Sequence, residues 1–394
     1  MRILHVTREH GSDRRYGIGR SLAPVLAALE ARGHAVRYLT QEDQTARSRA
    51  AQQRWTQRFA RLGERCFGPA GGVLAAVWLE RLNMGRLAAR VARQMQADVV
   101  HLHDPWMAWG FRLARGGPVR WGVSEHGFGA YTDAVAEEGV PYRPGLLRWH
   151  RRQEARVLAA AGFVICPTQS ARAQLARDLA LPAPGAHWQA VPHARPVLPL
   201  PTRAAARQAL GWATESTQLL AIGRINPVKR FDALVRACVQ MNRPLHLTLL
   251  GEGDAAPLHA LAAQGAQLRL TVAAVDDVAP YLAAADLYIS SSRNESFGIA
   301  NLEALAAGLP AVCTAVGSVP EVVGAGALLV SGADADLSAG LAQAIAGLLD
   351  DPGRRQRLSD VGRQRAQAWP DADAVAARLE AIYRGPGEAL HGGA

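Results

Sequence analysis

Short apolar runs alternate along the chain with longer segments whose apolar residues recur every three or four positions, the pattern of strands followed by helices. Met1 to Thr7 reads as a strand, and the segment after it carries Leu22, Val25, Leu26 and Leu29 on one helical face before Gly33. Ala35 to Thr40 is a second strand. Others are predicted from Ala97, from Trp121 and from Phe163, the last leading through Thr168 into a helix with Leu175 and Leu179. After the proline-rich stretch His193 to Pro201 the alternation resumes, with strands at Gln218, His246–Leu250, Leu268–Val275, Tyr288–Ser292, Ala311–Thr314 and Ala327–Val330. Trp369-Pro370 interrupts the closing helices before Ala374 to Tyr383. Such alternation predicts an α/β protein with parallel sheets, and 394 residues suffice for two domains, divided near residue 200.

Composition narrows this picture. No stretch reaches the roughly 18 uncharged apolar residues of a membrane span, and the first residues lack the cleavage region of a signal peptide. Cys66, Cys166, Cys238 and Cys313 have neither disulfide nor zinc spacing, so the expectation is a cytoplasmic, reduced protein. The net charge of +10 is uneven: residues 1–200 carry 28 Arg and no Lys against 15 acids. A nucleic acid, an anionic membrane surface or a phosphorylated lipid acceptor would each account for that excess. Arg54, Arg58, Arg61 and Arg65 recur at helical spacing, as do Trp55, Phe59 and Leu62. This basic amphipathic helix either lies on anionic lipid at the inner face of the cytoplasmic membrane or packs its aromatic side on the domain.

The most informative stretch is Tyr288 to Glu321, a strand, a polar loop and a helix. Ser296, Phe297, Gly298 and Ile299 place backbone N–H groups at the helix start, where a partial positive charge favours phosphate. Leu302, Leu305 and Ala306 follow helical spacing, and Gly308 with Pro310 ends the helix. Glu295 before the helix and Glu303 on it are separated by roughly 12 Å along the axis, at about 1.5 Å per residue. That span suits a nucleoside diphospho-sugar, one carboxylate accepting from sugar hydroxyls and the other from the ribose diol. Lys229 is the chain's single lysine, where a compact ammonium is the apparent requirement. His103, Asp104 and His126 follow predicted strands, and ligands gather at the carboxyl ends of parallel strands.

Glu295-Ser-Phe-Gly-Ile-Ala-Asn-Leu-Glu303-Ala-Leu-Ala-Ala-Gly-Leu-Pro310 and Gly317-Ser-Val-Pro-Glu321 resemble the signature of the retaining glycosyltransferases of family four. The resemblance implies the GT-B fold: two facing Rossmann-like domains, 1–200 for the acceptor and 201–370 for the nucleotide-sugar, with the active site in the interdomain cleft. It also implies a closing helix and tail, 371–394, crossing back to the first domain. The implied reaction is transfer of a hexosyl unit from a UDP- or GDP-sugar to a hydroxyl of a glycan or of a lipid-linked or lipopolysaccharide-type acceptor. By the same resemblance Arg224 and Lys229 hold the diphosphate, Glu295 and His126 orient the sugar, Glu303 meets the ribose, Val278 lies near the nucleobase, and Gly17 and Gly19 let backbone approach the donor. His103 and Asp104 fall on the acceptor side, as does Tyr16, which stands where the family usually has glycine. Arg230 also stands at a common glycine position, and Pro192-His193-Ala194-Arg195 departs from the family's linker. The implied co-substrate is the nucleotide-sugar, with no metal, no other cofactor and no nucleic-acid partner. Asp334-x-Asp336 and Asp371-x-Asp373 are read as helix caps, not metal ligands. Two rivals share the fold: a nucleotide-sugar 2-epimerase, and a catalytically silent subunit that binds glycan or a partner enzyme.

Overall fold

The structure, a computed structural model, describes residues 1–8, 18–137, 143–181, 185–213, 216–333 and 335–385. The chain divides into two compact units, Met1–Ala194 together with the segment from Ala372, and Arg195–Asp371.

Unit 1 contains β1 (Arg2–Val6), β2 (Ala35–Leu39), β3 (Val99–Leu102), β4 (Arg120–Ser124), β5 (Phe163–Cys166) and β6 (Trp188–Ala190). They form one parallel sheet in the order β2-β1-β3-β4-β5-β6, so the direction of winding reverses between β1 and β3. Strands β3 and β5 are buried throughout, as expected where helices cover both faces of a parallel sheet. The period-two pattern assigns the faces. Leu4, Val6, Val100 and Leu102 meet Met107 and Phe111 on one side, while Ile3, Val99 and Phe163 meet Val25, Leu29, Val375, Leu379 and Tyr383 on the other. Each such side chain, fully buried, contributes about 1.5–3 kcal/mol of transfer free energy. The closing helix Ala372–Arg384 thus belongs to unit 1, where Glu380 also accepts from Arg32 Nε at 2.8 Å.

Unit 2 contains β7 (Gln218–Ile222), β8 (Leu245–Leu250), β9 (Leu268–Ala273), β10 (Leu287–Ser290), β11 (Ala311–Thr314) and β12 (Ala327–Val330). The parallel order is β12-β11-β10-β7-β8-β9, with the reversal between β7 and β10. The chain enters and leaves this unit side by side: Arg195 N–H donates to Pro370 O at 2.8 Å, and Arg195 Nη1 to Gln367 O at 3.0 Å.

The alternation read from the sequence missed two long helices, Pro69–Gln94 and Pro144–Ala159. The arginine-rich segment forms the helix Ala46–Phe67, which packs on Pro69–Gln94. Of the two Asp-x-Asp sequences, Asp336 occupies the N-cap of Leu337–Leu349 without a side-chain hydrogen bond. Asp373 lies in the first turn of the closing helix, paired with Arg32 at 3.3 Å, and Asp334 falls outside the described residues.

Candidate active site

In an open parallel sheet, ligands bind beyond the carboxyl ends of the strands where the winding reverses. In unit 2 that position is flanked by the loops after β7 and β10, which carry Arg224, Lys229, Glu295 and Ser296–Gly298. The loops are joined by Arg293 N–H to Val228 O at 2.7 Å and Ser291 Oγ to Lys229 O at 2.7 Å. Lys229 Nζ forms an ion pair with Glu295 Oε1, which also accepts from Ser292 Oγ at 2.8 Å. Gly223 makes room for this lysine, since a Cβ there would lie 2.9 Å from Lys229 Cε. Arg224 is exposed and has no ion pair among the described residues, leaving its guanidinium open to an anion.

Arg230 explains its departure from glycine. Its backbone is left-handed (φ +47), and its buried guanidinium donates to Ser291 O at 3.1 Å, Ser292 O at 2.9 Å and Gly332 O at 2.9 Å. Those bonds to the ends of β10 and β12 compensate a backbone cost of about 1–3 kcal/mol, and no local pattern foretells them.

The helix after the loop is Ile299–Ala306, with Gly298 at its N-cap. Ser296 and Ile299 flank this start, while Phe297 turns inward, its ring 5.2 Å from that of Trp369. Val278 is likewise a core side chain, packed with Leu220, Leu250 and Leu282. These two positions therefore offer a ligand their main chain only. Glu303 is buried on the helix. Asn301, overlooked in the sequence, takes the Tyr288 hydroxyl on Oδ1 at 3.0 Å while its buried Nδ2 has no acceptor.

In unit 1 the reversal lies between β1 and β3, and histidines gather beside it. His5 is register partner of His101. With His103 two residues further, they share the sheet face that Tyr383 covers. His5 Nδ1 lies 3.0 Å from His103 Nε2, and His103 Nδ1 lies 2.8 Å from His126 Nε2. Burial pushes the pKa of His5 and of His126 down to about 3 and that of His193 to about 4; His101 and His103 are also lowered, mainly by burial. One nitrogen each from His5, His101 and His103 fall within 4.8 Å of one another, close enough for one ion, but all six ring nitrogens already have hydrogen-bond partners. The i, i+2 spacing of His101 and His103 hinted at a shared face; His5 and Tyr383 carried no local signal.

Asp104 is buried, accepts from Arg81 Nε at 2.9 Å and caps Pro105–Leu113 through Trp106 N–H at 2.7 Å. It has a complete structural employment beside any role toward an acceptor. Gly19 is buried in the first turn of Ile18–Ala31, whereas Tyr16 and Gly17 lie outside the described residues. On the helix Ala46–Phe67, Arg54, Arg58, Arg61 and Arg65 are exposed, and so are Trp55 (52%), Phe59 (43%) and Leu62 (54%). The aromatic side of this helix is therefore not packed on the domain.

Residues 16–194 match the family described as Glycosyltransferase Family 4, and residues 216–351 match Glycosyl transferases group 1. D-inositol 3-phosphate glycosyltransferase 1 of Catenulispora acidiphila is 32% identical over 327 residues, 75% of this chain and 73% of that protein. The match to a protein of the same description from Thermobispora bispora spans only 48% of that protein's length. Among solved structures, sucrose-phosphate synthase from Thermosynechococcus elongatus aligns with TM-score 0.75 at 20% identity, over 98% of both chains. The Anabaena protein HepE, solved with UDP-glucose, aligns with TM-score 0.69 at 16% identity, over 96% of this chain and 98% of its own. The architecture is that of the GT-B glycosyltransferases.

Proposed function

Because the chain belongs to the family of group 1, family 4 glycosyltransferases, we propose that it is a metal-independent retaining enzyme that moves a hexosyl unit from a nucleoside diphospho-sugar to a hydroxyl. The observation that carries this reading is the Lys229–Glu295 pair beside the start of Ile299–Ala306, at the reversal point of the unit 2 sheet. A diphosphate arriving there meets the ammonium, the exposed Arg224 guanidinium and the helix start, which stabilise charge developing on the leaving group. Glu295, freed from exclusive pairing with Lys229, accepts hydrogen bonds from the sugar; Glu303 takes the ribose; His126 contributes to holding the sugar. Same-face transfer needs no protein nucleophile, since a donor phosphate oxygen takes the acceptor proton as the glycosidic bond to the diphosphate breaks and that to the acceptor forms.

The acceptor reading is a glycan or lipid-linked sugar at an anionic membrane surface. Its support is the helix Ala46–Phe67, whose exposed tryptophan, phenylalanine and leucine lie beside exposed arginines, a combination that suits the lipid headgroup boundary. Among the described residues no helix is long and apolar enough to cross a membrane.

Incubation with a panel of UDP- and GDP-sugars, with and without lipid-linked and free glycan acceptors, tests the reading. Acceptor-dependent release of nucleoside diphosphate with an α-linked product is expected from an α-linked donor. Release with formation of an epimerised free sugar would identify a 2-epimerase, and no release with any donor would identify a binding subunit.

A further inference from the structure

A continuous file of buried polar side chains runs through unit 1. His101 Nε2 lies 2.7 Å from Ser124 Oγ, and His101 Nδ1 lies 2.7 Å from the Tyr383 hydroxyl. That hydroxyl lies 3.3 Å from His5 Nε2, His5 Nδ1 lies 3.0 Å from His103 Nε2, and His103 Nδ1 lies 2.8 Å from His126 Nε2. We propose that this array locks His126 in one tautomer, with its hydrogen on Nδ1, so that His126 offers a sugar oxygen a donor and not an acceptor. The use toward a sugar rests on the glycosyltransferase reading; the tautomer does not.

A neutral imidazole has one N–H donor and one bare acceptor nitrogen, and a hydroxyl has one donor. Every link therefore constrains the next. Because the phenol oxygen can accept twice, one arrangement has His101 Nδ1 and His5 Nε2 both donating to Tyr383, which strands the hydrogen of that buried hydroxyl; two other complete arrangements remain. In the first, hydrogens point away from His126: all four histidines of the file carry hydrogen on Nε2, Tyr383 donates to His101, and His101 donates to Ser124. The Ser124 hydroxyl hydrogen then has no protein acceptor among the described residues, because His101 is its only partner there and Ser124 is buried. In the second, Ser124 donates to His101, His101 to Tyr383, Tyr383 to His5, His5 to His103 and His103 to His126. Every buried donor is then used, and the remaining N–H is Nδ1 of His126, the half-buried end of the file, which has no partner among the described residues. Stranding a buried donor is the costlier error, which selects the second arrangement. Burial, which holds these rings neutral at physiological pH, permits either arrangement and excludes a doubly protonated link. Tyr383, contributed by the closing helix, is accordingly a positioning residue that acts through His5 and His103.

The test is the side-chain nitrogen spectrum of the full chain labelled with 15N-histidine, without substrate, at pH 7.5, with signals assigned by single His→Gln variants. The expected spectrum has His5, His101, His103 and His126 all protonated at Nδ1 and bare at Nε2. Tyr383→Phe, shown folded by its melting curve, removes the acceptor for His101 and the donor to His5, so signals of both tautomers are expected at His103 and His126. A parent spectrum with His126 protonated at Nε2 overturns the proposal even if the variant does not fold. Parental signals at His103 and His126 in folded Tyr383→Phe, or stoichiometric uptake of added zinc by His5, His101 and His103, overturn it too. Because no turnover is measured, failure here is distinct from failure of the transferase reading.

Discussion

Gly317 sits against the main chain of Glu295. A Cβ at position 317 would lie 2.1 Å from the Glu295 carbonyl oxygen, the same oxygen that accepts from Ser318 N–H at 2.9 Å. The Gly317-to-Glu321 motif is therefore a brace for the loop bearing the site carboxylate. Gly317 also has φ +54, a region costing a non-glycine residue about 1–3 kcal/mol. Gly317→Ala is expected to lower the melting temperature and to reduce kcat/KM at least tenfold by displacing Glu295. Parental stability and turnover in that variant would show that the brace is dispensable.

Arg224 and Lys229 should separate in stability though both are proposed to serve the diphosphate. Removing an anion-stabilising donor typically costs about 2.7–4 kcal/mol of the barrier, so either alanine variant is expected to lose roughly 10²–10³ in kcat. Arg224 is exposed and has no ion pair among the described residues, and its removal should leave stability within about 0.5 kcal/mol. Lys229→Ala strips Glu295 of its ion-pair partner and should lower the melting temperature as well. Near-parental turnover in a folded Arg224→Ala protein would remove the guanidinium from the mechanism.

If arginine, lysine and a helix start neutralise the leaving group, as proposed, turnover should survive prolonged treatment with a chelator. Activity that disappears and returns on adding magnesium or manganese would show that the diphosphate is neutralised by an ion instead.

Acid should destabilise unit 1. The folded pKa of His5 is about 3 against 6.5 in its ordinary range, so between those values the unfolded chain binds a proton that the folded chain refuses. Stability then falls as pH drops below about 6.5, by up to about 1.4 kcal/mol per pH unit for each such ring. His101, His103, His126 and His193 act in the same sense. Glu154, pushed up to about 7 mainly by burial, and Glu125, also raised, oppose them, because a carboxyl that keeps its proton when folded favours the fold on acidification between about 4.5 and its raised value. The imidazoles outnumber the carboxyls. The melting temperature should fall from pH 7 to pH 5, and His103→Gln should flatten that slope; a parent melting temperature that is level or rises toward pH 5 would refute the assignment.

The membrane reading is checked by sedimentation with anionic and neutral vesicles. The parent is expected to bind the anionic vesicles and to be released by salt, since exposed charges are screened over about 8 Å at physiological ionic strength. Arg54→Glu, Arg58→Glu and Arg61→Glu together should abolish binding, at about 1 kcal/mol per basic residue removed. Equal partition of both proteins would assign the exposed aromatics another role.

The sequence by itself determined the α/β class, every strand of both sheets except the short β6, and the helix Ile299–Ala306 that follows Glu295, with its flanking turn. These are local: period-two runs, caps such as Thr168, and motif spacing act over a few residues of chain. It did not disclose that Phe297 and Val278 turn inward, because the loop pattern records that a residue lies at a helix start and not which way its side chain faces. Only the tertiary structure joined Lys229 to Glu295, 66 positions apart, and His101 to Tyr383, 282 apart. It also left Trp55, Phe59 and Leu62 uncovered, which helical spacing leaves undecided. The physical reason is the same in each case: a periodic pattern specifies a face, but what meets that face is chosen by which distant strands and helices pack beside it.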